Sequence, residues 1–246
     1  MSKNLFKTYD EKFYEYNIPG SLRSAKIFFN IIKDRYKFDS VVDFGCGRGT
    51  WLKAALEIGA TTVHGYDGPW NEGKLIDDTI PFSSKDLSNL KIDIKKFDLA
   101  ISLEVAEHLP EHASDQFIDA ITSSSDLVMF GSAFTRQIGT YHINEQHPSY
   151  WANKFIERGF YPVDLFRKDV WFDDNIEPCY RQNTFLYVKE NNTELAKVFK
   201  KDFTGNQIYF MDCMHPEIYL QRSGRDLISD FIHGMKRVIA SKLRLK

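Results

Sequence analysis

The residues best suited to chemistry begin with a glycine-rich segment near the start of the chain. Residues 43–50 read DFGCGRGT and place three glycines in a G-x-G-x-G pattern. Glycine lets a turn fold tightly and lets its backbone approach a ligand. A helix that follows such a turn offers unsatisfied N–H groups. The pattern differs from the G-x-G-x-x-G of dinucleotide sites. It therefore favours a smaller ligand, with an uncharged sugar and an amino-acid tail, over one with a pyrophosphate.

An acidic residue at the end of the next apolar segment completes this pattern. Residues 61–67, TTVHGYD, predict a strand that ends at Asp67. Ligands of open α/β sheets bind beyond the carboxyl ends of the strands, at the topological switch point. A carboxylate there can accept hydrogen bonds from both ribose hydroxyls. The glycine-rich turn alone could be structural, but the turn and the spaced acid together predict a cofactor site.

Alternating strands and helices would position this site. The pattern predicts right-handed crossovers and a parallel sheet as far as about residue 160. Short apolar runs predict buried strands over 40–44, 61–67, 97–103 and 126–132. Amphipathic runs predict helices over 21–37, 51–59, 113–122 and 148–158. Residues 160–166 and 183–190 predict an antiparallel pair at the sheet edge.

Several motifs resemble those of class I S-adenosylmethionine-dependent methyltransferases. They are VVDFGCGRGTWL, VHGYDGPW, Asp86-Leu87 and FDLAISLEVAEHLPE, and the resemblance covers about residues 20–190. It implies a Rossmann-like α/β fold with a seven-stranded, mostly parallel sheet of order 3-2-1-4-5-7-6 and helices on both faces. It also implies S-adenosylmethionine as the methyl donor and S-adenosylhomocysteine as the product.

The resemblance implies a role for each residue that matches a family motif. The methionine part of the cofactor would be lined by Asp43, Gly45, Cys46, Gly47 and Gly49. The ribose would be bound by Asp67, and the adenine by Gly68, Trp70, Asp86 and Leu87. The methionine amine and sulfonium would lie near Leu103 and Glu104. On residue type alone, Asp86 could instead cap a helix, Trp70 could be ordinary packing, and Glu107-His108 could merely close a helical turn.

The segment after the fifth strand, SAFTRQIGTYHINEQHPSYW, carries the candidate catalytic bases. Methyl transfer is an in-line displacement that depends mainly on positioning, and an oxygen acceptor also benefits from a base. Histidine suits that role near neutral pH. His142 is the first candidate and His147 the second, because His147 precedes Pro148 and could simply begin the next helix. His142 could equally be a surface-loop histidine.

The region from HINEQHPSYWANKFIERGFYPVD to residues 180–183 resembles a subgroup found in bacterial surface-polysaccharide clusters. Those enzymes methylate hydroxyls of sugars or capsule decorations such as phosphoramidate, often on nucleotide-linked precursors. Aromatic residues that could stack on the acceptor are Tyr141, Tyr150, Trp151 and Trp171. Arginines that could grip a phosphate are Arg136, Arg167 and Arg181. The alternative is that the aromatics are core residues and the arginines are solvated.

Composition narrows the choice of partners. The 246 residues carry a formal net charge of −2, so no global positive field favours nucleic acid. The cysteines Cys46, Cys179 and Cys213 show no C-x-x-C spacing, and no carboxylate/His cluster has convincing ligand spacing, so no metal site is expected. The separated cysteines predict a reducing, cytoplasmic compartment. The polar N-terminus does not resemble a secretory signal, and the lack of a long apolar window predicts no transmembrane span.

The chain is expected to divide into a methyltransferase domain over residues 1–190 and a helical C-terminal extension over 191–246. Residues 225–246 carry an apolar helical face and a basic end. This helix could pack on its own domain, form a homodimer contact or rest on an anionic membrane surface.

The sequence thus predicts a methyltransferase acting on a small polar acceptor, either a sugar or a nucleotide-linked glycan precursor. Two alternatives stay open. One is a protein or RNA methyltransferase, although the chain lacks a basic stripe. The other is a non-catalytic binding module with the same fold. Release of S-adenosylhomocysteine in a turnover assay separates the enzyme from the binding module.

Overall fold

The fold is a single seven-stranded sheet with helices on both faces. The computed structural model describes residues 11–90, 95–137, 139–202, 205–221 and 235. The strands are β1 Ser40–Phe44, β2 Thr62–Asp67, β3 Phe82–Ser84, β4 Leu99–Leu103, β5 Leu127–Gly131, β6 Phe160–Val163 and β7 Phe185–Lys189. Their spatial order is β3-β2-β1-β4-β5-β7-β6. Strand β7 is antiparallel to β5 and β6, and the other pairs are parallel. The predicted fold and strand order are confirmed.

The helices connect the strands in the order expected for crossovers. They are α1 Glu11–Lys33, α2 Thr50–Glu57, α3 Ser114–Ser124, α4 Pro148–Ile156, α5 Arg167–Val170, α6 Pro178–Asn183, α7 Thr193–Phe199 and α8 Pro216–Gln221. Short 3-10 turns add Pro69–Asn71, Leu87–Asn89, Ala106–His108, Glu111–Ala113, Lys200–Asp202 and Gly205–Asp212. The helix predicted over 21–37 begins earlier, at Glu11, and ends at Lys33.

The apolar strands bury both of their faces, because successive side chains point to opposite sides of the sheet. On one side Val41 and Ile101 pack with Phe28 and Phe29 of α1 and with Trp51 of α2. The other side carries a second cluster of strand residues and the residues of α3 and α4; it includes Val42, Phe44, Val128, Phe130, Phe117, Ile118, Trp151 and Phe155. The sheet is thereby fixed from both faces, and its carboxyl edge is left for the loops.

Two of the predicted phosphate-binding arginines hold the C-terminal part of the chain. Buried Arg167 donates to Asp164 Oδ2 and to the carbonyls of Phe210 and Met211. Buried Arg181 pairs with Glu217 Oε2 at 2.6 Å. Part of the segment assigned to an extension therefore packs on the sheet domain.

The C-terminal helix predicted over 225–246 lies outside the described residues, except for position 235. The dimer contact predicted through this helix lies outside them as well. The domain boundary at 190 stays a prediction. Within the described ranges, none of the helices combines the length and the apolar composition that crossing a membrane requires.

Trp151 tests whether an aromatic residue predicted to stack on the acceptor belongs to the core. Its exposed fraction is 2%, and its ring packs 5.3 Å from that of Phe130. We expect Trp151→Ala to lower the free energy of unfolding by about 3–5 kcal/mol, because it leaves a large cavity. Phe172→Ala is the control, since that side chain is 82% exposed and should change stability by about 0.5 kcal/mol or less. Chemical denaturation measures both, and equal stabilities would contradict the core assignment.

Candidate active site

The glycine-rich turn between β1 and α2 forms the first wall of the site. Its three glycines have positive φ angles, 91° at Gly45, 54° at Gly47 and 78° at Gly49, a backbone region that favours glycine. The N–H groups of Gly45 and Cys46 donate to the carbonyl of Tyr66, at 2.7 and 3.2 Å, which ties the turn to β2. A Cβ added at Gly45 would lie 2.3 Å from a Val105 side-chain carbon. The turn is therefore specified by backbone geometry and by close packing.

Asp67 joins this turn to the loop after β2. Its Oδ2 accepts the Gly47 N–H at 2.7 Å, and its Oδ1 accepts the Gly68 N–H at 2.6 Å. Burial raises the pKa of Asp67, and these N–H donors oppose that rise. Each carboxylate oxygen can accept a second hydrogen bond, so the residue can also hold hydroxyl donors. Nearby Asp43 is buried too, and burial followed by the charge of Asp67 raises its pKa well above the usual range.

A cavity of about 630 Å³ opens beside these residues. The predicted cofactor residues that line it are Asp43, Gly45, Cys46, Gly47, Asp67, Trp70, Leu87, Leu103 and Glu104. Three others do not line it. Gly49 precedes α2, Gly68 lies behind the Trp70 ring, and exposed Asp86 caps the Leu87–Asn89 turn by accepting the Ser88 N–H at 3.0 Å. Asp86 thus has the helix-capping contact that its residue type also allowed.

Glu104 lies further along the cavity in a constrained position. Its φ is 55°, and its two carboxylate oxygens accept the side-chain amides of Asn183 at 2.8 Å and Gln137 at 2.9 Å. Burial raises its pKa, while these two donors lower it. The carboxylate is therefore held in one orientation beside β4.

Glu107, His108 and His142 come together at the far end of the cavity, which all three line. Fully buried Glu107 accepts the Ser132 hydroxyl through Oε2 at 3.0 Å, and its Oε1 has no hydrogen-bond partner among the described residues. The His108 and His142 rings lie 5.0 Å apart, centroid to centroid. His142 Nδ1 lies 2.8 Å from Glu145 Oε1. The predicted base is thus part of a group of three residues.

Burial also controls the ionisation of this group. It raises the pKa of Glu107 well above its usual range, and the charge of Glu104 adds to the effect. Burial followed by repulsion from His142 lowers the pKa of His108 to about 4. His108 is therefore neutral at physiological pH and offers a lone pair instead of a charge.

On residue type alone, Glu107 and His108 could merely close a helical turn. They do close a turn, the 3-10 helix Ala106–His108, and this turn directs both side chains to the cavity. The signal that sequence lacked was the approach of His142. The Ile143 and Asn144 N–H groups donate to the Glu107 carbonyl, at 2.8 and 3.0 Å, and bring the His142 loop to this turn.

The other predicted catalytic and acceptor-binding residues do not line the cavity. His147 is exposed, precedes α4 and packs its ring against Phe134. Tyr141 and Arg136 are exposed, Tyr150 and Trp151 pack in the core of the α4 face, and Trp171 packs on His215. Arg167 and Arg181 are committed to the internal contacts described above. The structure does not place these side chains around the cavity, and packing or ion pairs hold Tyr150, Trp151, Trp171, Arg167 and Arg181 elsewhere.

Comparison with known proteins agrees with this geometry. A profile described as "Methyltransferase domain" matches residues 15–160. The chain belongs to this methyltransferase family. The family uses S-adenosylmethionine, so the cofactor prediction is confirmed at the level of the family. A search of curated proteins found none with significant sequence similarity to this methyltransferase.

Solved structures share the fold at low identity. Magnesium protoporphyrin IX methyltransferase from Synechocystis, with bound S-adenosylhomocysteine, is 18% identical with a TM-score of 0.50, over 74% of this chain and 88% of that one. The plantazolicin methyltransferase BpumL, in complex with the same product, is 13% identical with a TM-score of 0.54, over 76% and 90%. Phosphoethanolamine N-methyltransferase 1 from Haemonchus contortus is 15% identical with a TM-score of 0.51, over 75% of this chain and 48% of that one. Their acceptors differ, and the likeness shows the fold alone.

Asp67 provides the sharpest test of the cofactor end. We expect Asp67→Ala to weaken S-adenosylmethionine binding at least about 100-fold, because hydrogen bonds to a charged group contribute about 1.5–3 kcal/mol each. Loss of the Gly47 and Gly68 contacts acts in the same direction. Asp86→Ala is the matched control and should leave the affinity within about threefold. Calorimetry measures both affinities and thermal denaturation checks folding; unchanged affinity in a folded Asp67→Ala protein would remove the assignment.

Proposed function

We propose that this methyltransferase transfers the methyl group of S-adenosylmethionine to an oxygen of a small polar molecule. The observation that carries the proposal is a single cavity with two chemically different ends. One end has the Asp67 carboxylate and the glycine-rich turn, and the other has Glu107, His108 and His142. The same cavity therefore contains a site for the methyl donor and side chains that can accept a proton.

The residues at the first end fit the cofactor. The buried Asp67 carboxylate would hold the ribose hydroxyls, and the Gly45–Gly49 turn gives the backbone room to approach the methionine part. Trp70 and Leu87 supply apolar surface for the adenine. When bound, S-adenosylmethionine supplies an electrophilic methyl group on a sulfonium.

Glu104 would complete the donor site through charge. Its carboxylate faces the same cavity and is held by Asn183 and Gln137, so it is oriented before any ligand arrives. A fixed anion suits the ammonium group of the methionine tail. Holding the donor in one orientation is the main contribution that a protein makes to an in-line displacement.

At the other end, a hydroxyl acceptor must lose its proton as its oxygen bonds to the methyl carbon. The carbon–sulfur bond breaks, and the sulfur keeps the electron pair. His142 stays the predicted acceptor of the proton, because it lines the cavity and Glu145 orients its ring. His147 has no comparable position.

The acceptor class rests on the sequence resemblance and on the lining of the cavity. We propose a sugar, a nucleotide-linked glycan precursor or a capsule decoration such as phosphoramidate. Polar side chains such as Gln137 and Thr140 line the cavity and suit hydroxyl-bearing ligands. Lys74 and Lys85 also line the cavity, near its Asp67 end, whereas none of the predicted arginines lines it.

His142 tests the acceptor end. We expect His142→Ala to lower kcat by about 10²–10⁴-fold while the affinity for S-adenosylmethionine stays the same, because a positioned base acts only on the chemical step. His147→Ala, in the same segment but away from the cavity, should keep full activity. The assay follows release of S-adenosylhomocysteine with a panel of free, phosphorylated and nucleotide-linked sugars. A folded His142→Ala protein with full kcat on its acceptor would contradict the role.

A further inference from the structure

We propose that Glu107, His108 and His142 bind a divalent transition-metal ion at the acceptor end of the cavity, and that this ion holds the acceptor oxygen. The binding site stands on the geometry of the three side chains. The role of the ion rests on the methyl transfer to an oxygen in the proposed function, and it replaces His142 as the means by which the acceptor loses its proton. Imidazole nitrogens and a carboxylate oxygen are a donor set that suits such ions.

The three side chains already approach one another closely enough. One potential ligand atom from each lies within 4.8 Å of the other two. Bonds of about 2.0–2.2 Å to a central ion place neighbouring ligand atoms roughly 3–4 Å apart. Side-chain adjustments on the order of 1 Å would therefore close the set without moving the backbone.

Glu107 gives an independent reason for a cation. The residue is fully buried, Ser132 satisfies Oε2, and Oε1 lacks a hydrogen-bond partner among the described residues. A buried polar atom without a partner is costly. A cation between Oε1 and the two imidazoles would supply the missing partner.

The histidines are held in the tautomer that a metal needs. His108 Nδ1 lies 3.2 Å from the Tyr141 carbonyl oxygen, which can only accept, so this nitrogen carries the proton. His142 Nδ1 faces the Glu145 carboxylate in the same way. With Nδ1 used in this way in each ring, Nε2 is the nitrogen left to face a metal ion. Metal-binding histidines typically donate their other ring N–H to a carboxylate or a carbonyl in this manner.

The loop that carries His142 is also fixed in advance. Its backbone donates twice to the Glu107 carbonyl, and the Asn144 side chain donates to Ser114 Oγ at 3.2 Å. The ring of His142 lies directly over Gly139, where an added Cβ would meet it at 1.9 Å. A larger residue at 139 would displace the imidazole, so this glycine makes room for the third ligand.

Glu104 stands beside this set but outside it. Both of its oxygens accept side-chain amides, whereas Glu107 Oε1 does not. Its negative charge still favours a cation nearby. The three ligands leave coordination positions open toward the cavity, and open positions are what a catalytic site keeps for water or substrate.

The ion would change how the acceptor loses its proton. A hydroxyl bound to the cation becomes more acidic, and its O–H bond breaks with the proton passing to water. The oxygen then bonds to the methyl carbon, the carbon–sulfur bond breaks, and the electron pair stays on sulfur. No redox change occurs. With the ion in place, the Nε2 lone pair of His142 binds the cation and does not take the proton.

Cobalt(II) is the probe for the site, because its visible absorption reports coordination and calorimetry gives its affinity. The full chain should bind one Co²⁺ more tightly than Mg²⁺. Glu107→Gln, His108→Ala and His142→Ala should each weaken Co²⁺ binding at least about tenfold. His147→Ala and His112→Ala, which remove exposed histidines nearby, should not. Thermal denaturation checks folding, and Glu107→Gln keeps the side-chain shape.

The outcomes separate this inference from the proposed function. Absence of Co²⁺ binding by the wild-type protein, or equal affinity in the three ligand variants and the two controls, overturns the site. Methyl transfer that falls on chelation and returns with Co²⁺ or Zn²⁺ supports the role of the ion, and transfer unaffected by chelation overturns it. Failure to bind S-adenosylmethionine overturns the proposed function but leaves the Co²⁺ result standing.

Discussion

The site depends on one carboxylate that holds two loops together. Asp67 ends β2 and accepts N–H groups from the turn after β1 and from the loop after β2. Parallel strands β1 and β2 lie side by side in register, so their carboxyl ends meet at one edge of the sheet. The glycines give the turn a backbone shape that other residues rarely adopt, and Asp67 satisfies an N–H that this shape exposes. The residue that we propose to bind the ribose is therefore also the one that holds these two loops together.

The acceptor end follows a different physical rule, because the buried polar groups there surround one carboxylate oxygen, Glu107 Oε1, that has no hydrogen-bond partner among the described residues. Glu104 is fully engaged by two amides, whereas Glu107 is engaged on one oxygen only. His108 and His142 are each oriented through Nδ1. Such a set is costly to keep in a protein interior unless it meets a proton, a substrate or a cation. This is why the Glu107 group, and not the surrounding aromatic and arginine residues, carries the chemistry we propose.

Packing accounts for the residues that turned out to be remote from the cavity. Trp151 completes the core against β5, and Arg167 and Arg181 fix the chain that follows β7. Aromatic and arginine side chains are suited to ligand binding and equally to internal packing and ion pairs. Residue type alone does not distinguish these uses, since the difference lies in which surface the side chain meets.

The sequence by itself determined the alternation of strands and helices, and the resemblance of its motifs to class I methyltransferases implied the strand order, the family and the proposed donor-site residues. The alternation follows from local rules, since apolar runs make buried strands and amphipathic runs make helices. Local rules also explain the edge of the sheet, where glycines mark a turn with positive φ and an acid ends a strand. Residues 43–47 and Asp67 are close in sequence to the elements that position them.

Tertiary structure alone decided the acceptor end. His142 is distant in sequence from Glu107, and contacts between their loops, including two backbone hydrogen bonds to the Glu107 carbonyl, bring the two together. The same holds for Arg167, which contacts the Phe210 and Met211 carbonyls after β7 in addition to nearby Asp164. Contacts between irregular segments that are far apart in sequence leave no periodic pattern, so the residues that meet could be identified only in the folded chain.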